Sequence, residues 1–182
     1  MINETKVKSL LTKDGTHYQK LGAYEFLVGT DYGVYVLPVS SHKVLDALKE
    51  MGFDTDLDGP QTTNPRRTMT KDVLTQPLEE KAGAELRLTN QCKVHNTSPI
   101  GRGGFEATCS QVLINDSEKR KYLVNRLLLK PLLMDNVRLD LDVRLRQCGN
   151  GIGIYKHNSD ICYGVLMPIS PFFTDAELLL DE

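Results

Sequence analysis

The chain has 182 residues, with 22 Lys plus Arg against 24 Asp plus Glu and a formal net charge of −2 at pH 7. Hydrophobic residues make up 40% of it, too high a fraction at so small a net charge for a disordered chain. The near-neutral total also excludes a protein that coats nucleic acid through its overall charge. Because the N-terminus is polar and no apolar run is long enough for a leader or a membrane span, we expect a soluble, cytoplasmic protein.

Residues 1–52 have the pattern of a small α/β N-terminal part. Two apolar, β-rich runs at 24–29 and 33–37 flank a short polar connector, which predicts a hairpin. A short helix is expected before this hairpin, and apolar residues at helical spacing follow it and end at Gly52. The segment therefore predicts a helix, a hairpin and a helix.

The rest of the chain divides into a polar stretch and a β-rich part. Residues 53–70 are rich in Asp, Thr, Asn and Pro and are expected to form a loop or linker. Residues 71–182 form the main part, which includes a hairpin around 157–160 and a short terminal helix at 175–180. Its clearest strand is 137–146, where Val and Leu alternate with Arg and Asp. We expect an α+β fold with an antiparallel sheet in the C-terminal two-thirds, a few flanking helices and either separate parts or one continuous domain.

Asp54, Asp56 and Asp58 have the spacing that opens an EF-hand calcium loop. The position that should supply a bidentate Glu is Pro65, so half of the ligand set is missing. An acidic turn after a helix is the preferred interpretation, and these three residues are the candidate for a metal site. The four cysteines lack the short spacing of zinc sites, so reduced thiols and no cofactor are expected.

Two short motifs, His95-Asn96-Thr97 and His157-Asn158-Ser159, match the pattern H-x-[T/S]. Histidine suits acid–base chemistry near neutral pH. The pair resembles the signature of the 2H phosphoesterases, which implies that His95 and His157 act as acid and base on a cyclic phosphate or RNA while Thr97 and Ser159 bind the phosphate. The same residues are ordinary turn composition. A turn is therefore the preferred interpretation, and the enzyme is the alternative.

Charge is distributed unevenly along the chain. Between residues 119 and 146 there are eight Lys or Arg against three Asp, whereas residues 46–58 hold five acids against one Lys. A local basic face can contact phosphates or an acidic protein surface, although Arg and Asp could also pair with each other along one strand. The candidate partner-binding residues are Lys119, Arg120, Lys121, Arg138, Arg144, Arg146, Arg66 and Arg67.

A small α+β chain with this uneven charge, a long polar loop and no catalytic motif resembles the accessory proteins of bacterial phages and plasmids. In length and general character it is similar to the anti-CRISPR inhibitors of Cas9-type nucleases from Firmicutes. The resemblance implies a non-enzymatic interaction protein in the cytoplasm of a bacterial host. Such a protein evades host defence by binding the nuclease directly and blocking DNA engagement or nuclease-domain movement. A nucleic-acid-binding accessory protein is a second alternative.

Overall fold

A computed structural model describes residues 1–66, 76–100, 104–118, 120–135 and 137–168, with backbone alone for residues 76, 91–100 and 104–112. Across these ranges the chain forms an antiparallel sheet of ten strands, three α-helices and two short 3-10 helices. This confirms the expected α+β class. None of the helices in the described ranges is long and apolar enough to cross a membrane.

The described strands and helices follow each other along the chain in a mostly β order. The strands are β1 (His17–Lys20), β2 (Glu25–Thr30), β3 (Gly33–Pro38), β4 (Gln61–Thr62), β5 (Ala82–Ile100), β6 (Gly104–Asn115), β7 (Arg120–Asn125), β8 (Val143–Cys148), β9 (Gly151–Lys156) and β10 (Cys162–Leu166). The helices are α1 (Glu4–Leu10), α2 (His42–Glu50) and α3 (Arg126–Leu129), with 3-10 helices at Gln76–Glu79 and Lys130–Leu132. In the sheet the strand order is β4-β1-β2-β3-β10-β9-β8-β5-β6-β7.

The interpretation of residues 1–52 as a helix, a hairpin and a helix is not supported. The β2–β3 hairpin and α2 do form, but β1 pairs along the other side of β2 and makes a three-stranded meander. Strand β3 then pairs with β10, which joins the N-terminal strands to the same sheet as the C-terminal ones. Strand β1 gives little sequence signal, because its residues His-Tyr-Gln-Lys do not alternate between apolar and polar.

The strand expected over 137–146 forms only in its second half, as β8 from Val143. The first half folds back as a loop, because Asp135 Oδ1 accepts the amides of Val137 and Arg138 at 3.4 and 3.1 Å. An isolated bridge between Leu133 and Leu139 closes the base of this loop. The β9–β10 hairpin forms around 157–160 as expected, and the terminal helix at 175–180 lies outside the described residues.

The sheet is covered by apolar residues on both faces near its centre. The helices α1, α2 and α3 pack Val7, Val44, Leu48 and Leu129 against one face, which forms the larger core. Strand residues that point to the other face of the sheet form a smaller core. Its members are Leu27, Val34, Cys148, Tyr155, Cys162 and Val165. Cys148 and Cys162 are buried free thiols, and burial raises the pKa of Cys162.

Candidate functional site

An open cleft of about 620 Å³ lies where the pairing partner of β5 changes from β8 to β6. Strand β5 pairs with β8 from Ala82 to Leu86, and its pairing with β6 begins at Arg87. Beyond Leu86, the loop before β8 lies beside β5, because β8 itself begins at Val143. The cleft is therefore lined by the edge of β5, the start of β8 and the loop that contains Arg138.

Three arginines, Arg87, Arg138 and Arg144, line this cleft, which we name the arginine cleft. Arg87 donates from Nε and Nη2 to the two carboxylate oxygens of Asp116 at 2.9 and 3.0 Å. Arg144 Nε lies 3.5 Å from Glu85 Oε1. The Asp116 and Glu85 carboxylates also line the cleft, so its charged lining holds three cations against two anions.

Arg138 is held by the carboxylate at the turn of its own loop. Its Nε and Nη2 donate to Asp135 Oδ2 at 3.0 and 2.6 Å. This hydrogen bond raises the pKa of Arg138 and lowers the pKa of Asp135 below its ordinary value. The hydrogen bond to Asp116 raises the pKa of Arg87 in the same way. These arginines are therefore charged and positioned before any ligand arrives.

Asn115 lines the arginine cleft and is held by the turn that follows β6. Its side chain is 1% exposed, and its Oδ1 accepts hydrogen bonds from the amide and hydroxyl of Ser117 and from the amide of Glu118. Its Nδ2 is buried and has no acceptor among the described residues. A buried amide donor without an acceptor is unfavourable by about 1–3 kcal/mol.

The arrangement suits the binding of carboxylate or phosphate oxygens. A guanidinium carries five N–H donors, and the pairing of Arg87 with Asp116 uses its Nε and Nη2 atoms. Donors therefore remain for a second acceptor, and the existing partner fixes the plane of the guanidinium. Exposed ion pairs contribute little to stability, so an incoming anion can share or replace these partners readily.

The structure brings together some of the predicted partner-binding residues and separates others. Arg146 does not line the arginine cleft, because it donates to Gly83 O and Asp160 Oδ1 at 2.9 and 2.8 Å and lies over the Tyr155 ring. Arg120 is exposed on β7 over Tyr122, and Lys121 follows it. Arg66 is exposed after β4. Lys119 and Arg67 lie outside the described residues.

The two histidine motifs occupy different parts of the sheet. His157 and Ser159 lie in the turn between β9 and β10, as the turn interpretation expects, and the His157 amide donates to Asp142 O at 2.8 Å. His157 also lines a cleft of about 480 Å³ near the end of β3. The turn interpretation is wrong for the other motif, because His95 and Thr97 are within β5, where their backbones pair with Thr108 and Glu106 of β6. The register places these pairs well beyond Leu86, where β5 meets β8.

The acidic turn after α2 is closed by hydrogen bonds of its own. Asp54 Oδ1 accepts the Asp56 amide at 3.0 Å, and Asp58 Oδ1 lies 4.0 Å from Lys20 Nζ. All three aspartates are exposed. Within the described ranges, no three His, Cys, Asp or Glu side chains come together as metal ligands.

Sequence reasoning missed Arg87 and Asn115 as members of the site. Arg87 lies between Leu86 and Leu88 in a stretch that alternates between apolar and polar residues, so the sequence indicates that Arg87 lies on the polar face of a strand. Asn115 has no such signal, because its role depends on the turn that joins β6 to β7. The comparisons with protein families, with curated proteins and with solved structures found no match.

Proposed function

We propose that this protein is a non-enzymatic binding protein that captures anionic groups of a partner in the arginine cleft. The observation that carries the proposal is the presence of Arg138 and Arg144, both expected from the sequence to bind a partner, in one cleft with Arg87. The hydrogen bonds of Arg87 to Asp116 and of Arg138 to Asp135 support it, because they hold both guanidinium groups in place. Arginine suits this task, since its planar guanidinium binds carboxylate and phosphate in a bidentate manner.

The partner that we propose is a bacterial defence nuclease of the Cas9 type. The general resemblance to anti-CRISPR proteins supports this choice, as does the segregation of basic and acidic residues along the chain. Bound to the nuclease, the protein would block DNA engagement or nuclease-domain movement. It would act in the cytoplasm of a host cell that carries the phage or plasmid encoding it. Complementary charges would speed the encounter and fix its orientation.

A binding and inhibition assay with a purified Cas9-type nuclease tests this proposal. The test variant is Arg138→Glu with Arg144→Glu, and the matched control is Lys13→Glu with Lys43→Glu, which changes the net charge equally at exposed positions outside the arginine cleft. We expect the test variant to weaken binding and inhibition at least about tenfold and the control to match wild type. Because Asp135 and Glu85 would then face new acids, the milder Arg→Gln pair is measured as well.

Two outcomes would contradict the proposal. One is binding of the nuclease that both arginine variants leave unchanged. The other is binding that requires free nucleic acid and weakens steeply with added salt, since this dependence identifies a phosphate-driven interaction. The second outcome would favour the nucleic-acid-binding alternative.

A further inference from the structure

We infer that the group captured in the arginine cleft belongs to a protein, which docks an extended acidic and apolar segment against the loop before β8. This docking loop consists of residues 134, 135 and 137–141. The inference rests on the proposed function of the cleft and adds the class of partner and a second contact surface.

The docking loop exposes apolar side chains that the sequence pattern would bury. Met134 is 50% exposed, Val137 57% and Leu141 77%. In a complete strand over 137–146, Val137 and Leu141 would share the buried face with Val143 and Leu145. A cluster of exposed apolar residues within one loop marks an interaction surface. Methionine and arginine, both present here, are enriched at the centres of protein interfaces.

Hydrogen bonds hold the docking loop in one shape. The Met134 amide donates to Arg138 O at 2.8 Å, and the Asp140 amide donates to Leu132 O at 2.8 Å. Leu139 packs against the larger core and anchors the middle of the loop. A loop already ordered in the free protein loses little further conformational freedom on binding, which favours affinity.

The docking loop and the arginine cleft are continuous, because Val137 and Arg138 belong to both. In an extended chain, successive side chains point to opposite sides at about 3.3 Å per residue. An extended segment could thus place carboxylates near Arg138 and Arg144 while its apolar side chains contact the docking loop. Burial of Val137 and Leu141 against such side chains would be favourable.

The charges of the docking loop favour a protein partner over a nucleic acid. Asp135 and Asp140 lie on the loop itself, and Asp142 follows it. A continuous phosphate backbone would face these carboxylates along its length, whereas discrete carboxylates can lie between them. The loop sequence also contains no aromatic residue on which a base could stack.

Fluorescence anisotropy with a labelled octapeptide of alternating Glu and Val tests the inference. We expect saturable binding by the wild type that Val137→Asp with Leu141→Asp weakens at least about tenfold. The matched control is Leu57→Asp with Ile161→Asp, which adds the same charge at residues that are 57% and 64% exposed and lie outside the docking loop. A Val137→Ser with Leu141→Ser variant, checked by thermal unfolding, separates loss of contact from loss of fold.

The outcomes distinguish this inference from the function on which it rests. Equal binding of a Glu-Ser octapeptide, tighter binding of a single-stranded oligonucleotide, or wild-type affinity in both apolar variants would overturn the inference. If the apolar variants bind normally while Arg138→Glu with Arg144→Glu does not, the cleft still captures anions and only the inferred apolar contact fails. If no variant lowers binding of the peptide or the nuclease, both are wrong.

Discussion

At the centre of the sheet, β3 and β9 each bury five of their six residues, whereas β8 buries three of its six. The central strands are covered on both faces by the two apolar cores. Strand β8 contributes Val143 and Leu145 to the larger core, and both of them line the arginine cleft together with Arg144. The charge that β8 contributes to the cleft comes from Arg144, which can be changed without removing a core residue.

The largest expected effect comes from replacing a core residue of β8. Leu145 is fully buried, so Leu145→Ala should lower the free energy of unfolding by about 2–5 kcal/mol. Its neighbour Arg144 faces the cleft, and Arg144→Ala should change stability by less than about 0.5 kcal/mol. Urea unfolding followed by circular dichroism measures both. Similar losses in the two variants would mean that the core and the cleft are not separable.

A smaller effect is expected at a buried polar cluster beneath the sheet edge. His17 is fully buried, with Nδ1 2.8 Å from Thr62 Oγ1 and Nε2 2.5 Å from Asp31 Oδ1. His17→Leu removes the imidazole from both groups and should destabilise the protein by about 1–3 kcal/mol. The control is His42→Leu at the exposed start of α2. If both variants unfold at the same urea concentration, the cluster does not hold β4 to β1.

The smallest effect concerns the ion pair at the rim of the arginine cleft. Since Arg138 holds the pKa of Asp135 below its ordinary value of about 3.9, Arg138→Gln should raise that pKa toward it. The folded-state pKa is the lower one, so the contribution of the pair is present above about pH 3.9 and is lost as pH falls through the folded value. A carboxyl-detected NMR titration of both proteins checks this. An unchanged Asp135 titration would show that the pair does not form in solution.

Local sequence patterns predicted the elements whose stabilising contacts are local. The β2–β3 hairpin has two apolar runs around a short connector, and α2 has helical spacing that ends at Gly52, whose φ is +94°. The β9–β10 hairpin has a turn-rich connector in which Asn158 adopts a φ of +61°. Each of these elements can be read from residues that are close in the chain.

The parts that sequence could not predict depend on distant pairings. Strand β10 lies between β3 and β9, and β5 pairs with both β8 and β6, so the sheet order follows from contacts across most of the chain. Residues 137–146 do alternate between apolar and polar, but the turn held by Asp135 makes a loop of the first part, so the strand begins only at Val143. The arginine cleft forms where the partner of β5 changes. The charge pattern predicted Arg138 and Arg144 as binding residues, whereas Asn115 lies beside them only because β6 pairs with β5.

The most direct test of the arginine cleft is NMR of its own donors during titration with the Glu-Val octapeptide. The reporters are the Asn115 side-chain amide and the Nε–H groups of Arg87, Arg138 and Arg144. We predict that their resonances shift together and saturate at one peptide concentration, because all four residues line the cleft. Saturable binding that shifts resonances elsewhere and leaves these four groups unchanged would contradict the account.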